Sequence, residues 1–220
     1  QLTAQGAVYP LQPVELADAL EQFVGEFGLG LVGGCCGTGP EHLRQVVKRL
    51  EGRQAADRSA SHIAAAASLY AEVPFRQDIS YLSIGERTNA NGSKAFRDAL
   101  LAEHWDDCVD IARSQIRDGA HMLDLNIDYV GRDGVADMRA LAFRLATAST
   151  LPIVLDSTEP AVLQAGLECL GGRAVINSAN YEDGDGPDSR FCRVMNLVAE
   201  HGAAVIVLTI DEEGQARTAE

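Results

Sequence analysis

The feature that most constrains the fold is a repeated pattern from Tyr81 onward: a short apolar run, a polar residue at its end, and then a helical pattern. Strands that alternate with helices in this way are typical of a parallel sheet. The predicted strands are 81–85, 121–125, 153–155, 174–176 and 203–210. The pattern therefore predicts an α/β fold whose second half holds about five strands of a (β/α)8 barrel.

Carboxylates and carboxamides stand at or just after the ends of the first four strands. In a (β/α)8 barrel these ends open onto one face, so side chains from distant parts of the sequence should converge there. The residues are Glu86, Asn89, Asp124, Asn126, Asp156 and Asn177. A ring of acceptors and amides suits a flat, polar heterocycle with several N–H and C=O groups. A single Asp or Asn in such a place could equally be a helix cap, but four successive units favour a binding site.

The barrel predicted from Tyr81 is unfinished. A complete (β/α)8 barrel takes about 250 residues. Only 140 residues remain from Tyr81 to Glu220. We therefore expect an open sheet with the strand 203–210 at one edge. The simplest explanation is that the sequence is a piece of a longer protein with two barrels.

The first fifty residues predict one further β/α step. Pro13 opens a helix that Gly28 ends, the apolar run Leu29–Val32 predicts a buried strand, and Pro40 opens a second helix. This step has no sheet of its own to join, which fits the last β/α unit of a preceding barrel.

Two adjacent cysteines, Cys35 and Cys36, follow the predicted strand 29–32. Vicinal cysteines rarely form a disulfide with each other, because their Cα atoms lie only about 3.8 Å apart. Two thiolates at one strand end can share a soft metal ion such as zinc. No histidine stands at metal-binding spacing to the pair, so a metal site and a pair of free thiols both stay open on the residues alone.

Residues 52–80 differ in composition from both flanking regions. They are rich in Ala, Ser and charge and contain no strand-like run. We interpret them as an interdomain linker that is partly helical around 64–70. The predicted organisation is thus 1–51 as the end of a first barrel, 52–80 as linker and 81–220 as the first part of a second barrel.

Composition excludes several classes of protein. The formal net charge of −14 argues against a nucleic-acid surface, and no apolar run approaches the roughly 20 residues that cross a bilayer. The first residues lack the features of a signal peptide, and five cysteines with one adjacent pair do not suggest a secreted disulfide framework. We expect a cytoplasmic protein.

Five motifs carry a resemblance to a known family. They are LVGGCCGTGPEHLRQV at 31–46, IGERTNANGS at 84–93, DLNIDYVG at 124–131, LDST at 155–158 and INSAN at 176–180. The first resembles the end of the homocysteine-binding barrel of cobalamin-dependent methionine synthases, and the other four resemble the opening half of their methyltetrahydrofolate-binding barrel. The order of the two parts singles out this family, and the resemblance covers essentially the whole chain.

The resemblance implies roles for individual residues. Cys35 and Cys36 would be zinc ligands, and Asp156 and Asn177 would hydrogen-bond the pterin ring of the folate. The remaining strand-end residues would line or support that pocket: Glu86, Asn89, Asp124 and Asn126. The family's third zinc cysteine and its later Asp–Asn pair have no counterpart in the sequence, and the cobalamin-binding domain would lie outside it.

The implied reaction moves a methyl group from methyltetrahydrofolate, through cobalamin, to homocysteine. Two alternatives stay open at this point. One is a non-catalytic module that binds pterin or zinc, since both sites are incomplete. The other is a condensing enzyme similar to dihydropteroate synthase, which would leave the GGCCG segment at 33–37 unexplained.

Overall fold

The computed structural model describes residues 2–3, 6–57 and 63–218. It divides into two compact units, Gln1–His62 and Ile63–Glu220. Within the described residues, no helix combines the length and apolar character that a membrane crossing needs.

The first unit is built on two helices. A short antiparallel pair, β1 (Leu2–Thr3) and β2 (Gly6–Ala7), precedes α1 (Pro13–Phe27) and α2 (Pro40–Leu50). Both helices start at the predicted prolines. The left-handed backbone of Gly28, with φ of 62°, ends α1 as expected.

The predicted strand Leu29–Val32 is wrong. The described residues between α1 and α2 form no strand, and the Leu31 side chain is 92% exposed. An apolar run becomes a strand only when a neighbouring strand satisfies its backbone groups. The described part of the first unit offers this run no such neighbour.

The second unit contains five parallel strands in the order β5-β6-β7-β8-β9. Their bounds are Ile84–Gly85 (β5), Met122–Asn126 (β6), Ile153–Asp156 (β7), Val175–Ala179 (β8) and Ala204–Val207 (β9). Two short antiparallel pairs accompany them: β3 (Ala65–Ala67) with β4 (Glu72–Pro74), and β10 (Ile210–Asp211) with β11 (Gly214–Gln215). The predicted partial (β/α)8 barrel is confirmed, with β9 at one edge of the described sheet.

Helices follow the parallel strands. They are α3 (Lys94–Leu101), α4 (Trp105–Arg117), α5 (Gly134–Ala148), α6 (Pro160–Leu167) and α7 (Arg190–His201). Two helices, α3 and α4, lie between β5 and β6. The Ser93 hydroxyl caps α3 by accepting from the Phe96 N–H at 3.3 Å, and Glu103, with φ of 57°, separates α3 from α4.

Both faces of the sheet are buried. On the outer face, Leu123, Leu125 and Leu155 belong to a cluster that includes core residues of the helices. On the inner face, Met122 and Val154 belong to a second cluster. Successive side chains of a strand point to opposite faces, so the residues two and four positions after an inner-face residue also point inward, toward the carboxyl end of the barrel.

The hairpin β3–β4 closes the amino end of this inner face. Ala66 and Val73 join the inner cluster with Met122, and Ala67 exchanges backbone hydrogen bonds of 3.0 and 2.8 Å with Arg173. The helix predicted around 64–70 is therefore wrong. Pairing and burial outweigh the helix propensity of the alanines, because propensity is a weak preference that tertiary context overrides. Residues 58–62 of the predicted linker lie outside the described residues.

Candidate functional site

Four of the predicted polar residues meet at the carboxyl end of the sheet. Asp124 and Asn126 follow Met122 on the inner face of β6. In the parallel register Asn126 pairs with Asp156 of β7, and Asp156 pairs with Asn177 of β8. The prediction that these strand ends converge is thus met in the structure, because strand parity and register bring all four side chains to one face.

Asn89 links two of the carboxylates. Its Nδ2 atom donates to Asp124 Oδ2 at 2.9 Å and to Asp156 Oδ2 at 3.3 Å. The Nδ2 atom of Asn126 donates to the same Asp156 oxygen at 3.0 Å. The amides therefore hold two carboxylates close together, which would otherwise repel each other.

The loop after β5 is folded so that Asn89 can reach this position. The Asn89 Oδ1 atom accepts from the backbone N–H groups of Asn91 and Gly92, at 2.9 and 3.0 Å. The Ala90 N–H donates to the Asn126 carbonyl at 2.9 Å, and the Asn126 N–H donates to the Thr88 carbonyl at 3.2 Å. The loop is therefore attached to the end of β6 by its backbone and to itself by the Asn89 side chain.

A buried polar pair supports the loop from α4. Gln115, 2% exposed, donates to the Thr88 hydroxyl at 3.1 Å and accepts from the Arg87 N–H at 2.7 Å. The Thr88 hydroxyl in turn donates to the Asp124 carbonyl. A Cβ atom at Gly85 would lie 2.7 Å from Gln115 Oε1, so the glycine makes room for this contact. Sequence reasoning missed Gln115, because nothing in a helical pattern distinguishes a buried glutamine.

Asp128 is a second residue that the sequence analysis missed. Its carboxylate accepts from the Ser157 hydroxyl at 2.9 Å on each oxygen and from the Thr158 N–H at 3.1 Å. It therefore joins the segment after β6 to the segment after β7. The sequence does carry a signal for it, because Asp128 continues the two-residue spacing of Asp124 and Asn126.

Burial raises the pKa values of the two central carboxyl groups. The pKa of Asp124 rises to about 6, chiefly because burial penalises its charged form; the charges of Asp156 and Glu86 add to this, and the amides of Asn89 and Asn177 oppose it. The pKa of Asp156 is also raised, first by burial and further by Asp128 and Glu86, against the hydrogen bonds from Asn126 and Asn89. Hydrogen bonds from the N–H groups of a ligand would therefore stabilise the charged form of both carboxylates.

Asp156 and Asn177 face an open cleft of about 400 Å³. The other lining residues are Ser157, Thr158, Ser178, Asn180, Glu182, Asp183 and Arg190. Glu86 has an exposed side chain, and it affects the site through its charge on Asp124 and Asp156. The cleft therefore offers a ligand both carboxylate acceptors and amide groups. Asn89 and Asn126 hydrogen-bond Asp156, and Asn89 links it to Asp124.

In the first unit, Cys35 and Cys36 are exposed free thiols whose sulfur atoms lie 3.8 Å apart. The Thr38 hydroxyl accepts from the Cys35 N–H at 3.0 Å, and the Thr38 N–H donates to the Cys35 carbonyl at 2.9 Å, which closes a tight turn. Cys36 also lines an open cleft of about 480 Å³ together with Tyr9 and His42.

The sulfur separation is suited to metal binding. Two zinc–sulfur bonds of about 2.3 Å at a tetrahedral angle place their sulfur atoms about 3.8 Å apart. The described residues contain no group of three Cys, His, Asp or Glu side chains that could hold a metal. The nearby His42 is engaged with the backbone: its ring nitrogens lie 3.2 Å from the Gly39 nitrogen and 3.0 Å from the Leu11 carbonyl.

Comparison with known proteins divides the chain in the same two parts. Residues 85–220 match the family of pterin binding enzymes, and residues 1–50 match homocysteine S-methyltransferases. The chain is 67% identical over 219 residues to a methionine synthase of Mycobacterium tuberculosis and 64% identical over 224 residues to one of Mycobacterium leprae. Each alignment covers 100% of the chain, but only 18% and 19% of the respective relatives.

The pterin binding match covers well over half of the chain; it begins at the second residue of β5 and includes the other four parallel strands in full. It also contains the whole network of Asn89, Asp124 and Asp156. On these grounds the chain belongs to the family of pterin binding enzymes.

Proposed function

We propose that the chain contributes the methyltetrahydrofolate site, and part of the homocysteine site, of a cobalamin-dependent methionine synthase. The observation that carries this proposal is the network of Asn89, Asp124 and Asp156 at the open end of a pterin-binding barrel. The homocysteine S-methyltransferase match over residues 1–50, which contains Cys35 and Cys36, supports the second part.

In the proposed folate site, Asp156 and Asn177 contact the pterin ring directly, since both line the cleft. The ring edge carries N–H donors beside C=O and ring-nitrogen acceptors, which complement one carboxylate and one carboxamide. Asn89 and Asn126 hold Asp156 by hydrogen bonds, Asn89 also binds Asp124, and the charge of Glu86 acts on both carboxylates.

Methyl transfer requires the folate N5 atom to leave as an amine, and an amine leaves poorly until it is protonated. Carboxylate and amide groups that orient the ring and stabilise the developing N5–H lower this barrier. The polar end of the barrel provides groups of this kind. We assign the binding and orientation of the ring to Asp156 and Asn177, and no described residue to the N5 atom itself.

Cys35 and Cys36 are the proposed zinc ligands of the homocysteine site. Their 3.8 Å separation fits two corners of a tetrahedron, and a third protein ligand would come from outside the described residues. A zinc ion bound there would lower the pKa of the homocysteine thiol, so that a thiolate is available near neutral pH. Thr38 fixes the turn that presents the two thiols on the same side.

Cobalamin serves as the carrier of the methyl group between the two sites, and we assign none of the described residues to its binding. This division of labour predicts that the two half-reactions can be measured and disrupted separately. It also explains why folate groups and thiol groups occur in two different compact units.

The proposal is tested with the full-length protein. We expect stoichiometric binding of methyltetrahydrofolate and transfer of its methyl group to added cob(I)alamin. A non-catalytic binding module would bind the folate without any transfer. An enzyme similar to dihydropteroate synthase would instead condense a pterin with p-aminobenzoate. Failure to bind methyltetrahydrofolate would refute the proposal.

A further inference from the structure

Arg190, the first residue of α7, connects the ends of two strands of the candidate folate site. Its Nε atom donates to the Thr158 carbonyl at 2.8 Å, and one terminal nitrogen donates to the Ser157 carbonyl at 3.0 Å. The other terminal nitrogen donates to the Ser178 carbonyl at 2.8 Å. One guanidinium group therefore binds three backbone carbonyls, two in the segment after β7 and one near the end of β8.

These carbonyls are next to the residues that face the cleft. Ser157 and Thr158 directly follow Asp156, and Ser178 directly follows Asn177. A shift of the segment after β7 or of the end of β8 would therefore move a side chain that we propose to contact the pterin. The distance between Asp156 and Asn177 has to match the spacing of the groups on a rigid ring, so holding both strand ends with one planar group fixes that distance.

The start of α7 is itself held in place. The Asp183 carboxylate accepts from the Arg190 N–H at 2.6 Å, and the Ser189 hydroxyl accepts from the Cys192 N–H at 3.1 Å. The Phe191 ring stacks on Tyr181, with their centroids 4.2 Å apart. The guanidinium group is therefore presented by a capped helix end rather than by a free loop.

Arg190 is also the one basic side chain among the described residues that line the cleft. A basic residue in this position could instead pair with an acidic group of the ligand, such as the glutamate tail of a folate. Its N–H groups, however, are directed at three backbone carbonyls. This geometry favours a role in holding the backbone at the two strand ends over a contact with the tail.

We propose that Arg190 is a positioning residue that sets the spacing of Asp156 and Asn177 for the pterin ring. This inference rests on the proposed folate-binding function. The fork of the guanidinium group, and not its charge alone, is required, because a lysine ammonium group cannot direct donors to three carbonyls in one plane.

The test compares Arg190→Lys and Arg190→Gln in the full-length protein, with Arg193→Gln as the matched control. Arg193 is an exposed arginine on the same helix. Two ligands are titrated: methyltetrahydrofolate and 6-methylpterin, which lacks the benzoyl-glutamate tail. We expect both Arg190 variants to lose about 10- to 100-fold in affinity, by the same factor for the two ligands. The control should stay within about twofold of the unmodified protein.

Three results would overturn the inference. A loss confined to methyltetrahydrofolate would show that Arg190 contacts the tail. Full rescue by Arg190→Lys would show that charge alone is sufficient. Loss of methyl transfer from added methylcobalamin to homocysteine in both Arg190 variants would show a general folding role.

The same titrations separate this inference from the proposed function. If the unmodified protein binds neither ligand, the proposed folate site is refuted and the inference fails with it. If the unmodified protein binds both ligands and the Arg190 variants bind them equally well, only the positioning role is refuted.

Discussion

Asn89 and Asp156 are 67 positions apart in the sequence, yet the Asn89 amide donates a hydrogen bond to the Asp156 carboxylate at 3.3 Å. The same amide donates to Asp124 at 2.9 Å. The loop after the first strand of the sheet is therefore connected to the ends of the next two strands. The Asn89 amide therefore joins three segments of the site that are far apart in the sequence.

Replacing Asn89 with Asp should disrupt the site more than loss of one hydrogen bond would. The variant removes the donor between two carboxylates and introduces a third negative charge. We expect destabilisation of about 1–3 kcal/mol and a loss of at least tenfold in pterin affinity. Thermal unfolding and pterin titration measure these effects. Asn196→Asp, at an exposed position of α7, is the control, and an Asn89→Asp variant that behaves like it would contradict the prediction.

Pterin binding should weaken as the pH falls below about 6. The pKa of Asp124 is raised to about 6, and its ionised form should favour a site that accepts ring N–H groups. Protonation below that pH should reduce the affinity by up to about tenfold per pH unit. A titration series between pH 5 and 8 tests this expectation. In Asp124→Asn the dependence should be reduced; an unchanged profile would exclude Asp124 as its source.

The same group makes an opposite contribution to stability. The folded-state pKa of Asp124 lies above its usual 3.8, so folding favours the protonated form. The contribution of Asp124 to the free energy of unfolding is fully present below that usual value and is lost as the pH rises through about 6. Denaturant unfolding of the Asp124→Asn variant should lack this component, and equal pH dependence in both proteins would contradict the assignment.

Asp156→Asn and Asn177→Ala should weaken folate binding and spare homocysteine chemistry. Each variant removes a buried or charge-assisted hydrogen bond, worth roughly 1–3 kcal/mol, which is about one to two decades in affinity. Methyl transfer from added methylcobalamin to homocysteine should be unchanged in the full-length protein. The control is Asp110→Asn, at an exposed position of α4. Loss of both half-reactions would indicate a folding defect or a wrong assignment of the two units.

The 220-residue chain should bind zinc weakly, because the described residues offer two thiols without a third ligand. Zinc titration with a competing chelator measures the affinity, and Cys35→Ala should abolish what binding there is. The full-length protein should bind zinc tightly through Cys35 and Cys36. Tight, stoichiometric zinc in the 220-residue chain that survives Cys35→Ala would refute the assignment.

The 220-residue chain should also associate through β9. This strand lies at the edge of the described sheet, and Val207 at its end is 54% exposed. Apolar edge strands without Pro or Lys promote edge-to-edge pairing. Val207→Lys should reduce association in sedimentation or light scattering, whereas Val130→Lys, in a loop with 97% exposure, should not. Association that neither substitution changes would exclude the β9 edge.

The sequence predicted the central part of the site because side chains alternate between the two faces of a strand. Once Asp124, Asp156 and Asn177 were recognised at the ends of successive parallel strands, their convergence followed from the topology. Gln115 and Arg190 were not found in this way. Both lie on helices, where neither hydrophobic periodicity nor capping preference marks a residue that contacts a neighbouring loop.

Two predictions failed for a related reason. The apolar run at 29–32 would need neighbouring strands that the described residues do not supply, whereas the alanines at 65–67 found a partner in β4 and formed a strand. In both cases local composition indicated the wrong structure. The presence or absence of a neighbouring strand determined the structure that forms.

The register of β6, β7 and β8 sets a limit on how this site can change during evolution. Asn126, Asp156 and Asn177 are paired in one row across the sheet. Deleting a single residue within β7 would turn Asp156 toward the helices and bring an aliphatic side chain to the ligand. The segment between β8 and α7 lies outside the strands, but Asp183 and Ser189 in it hold the start of α7. The lengths of the three strands, and the placement of these two residues relative to Arg190, should therefore stay constant.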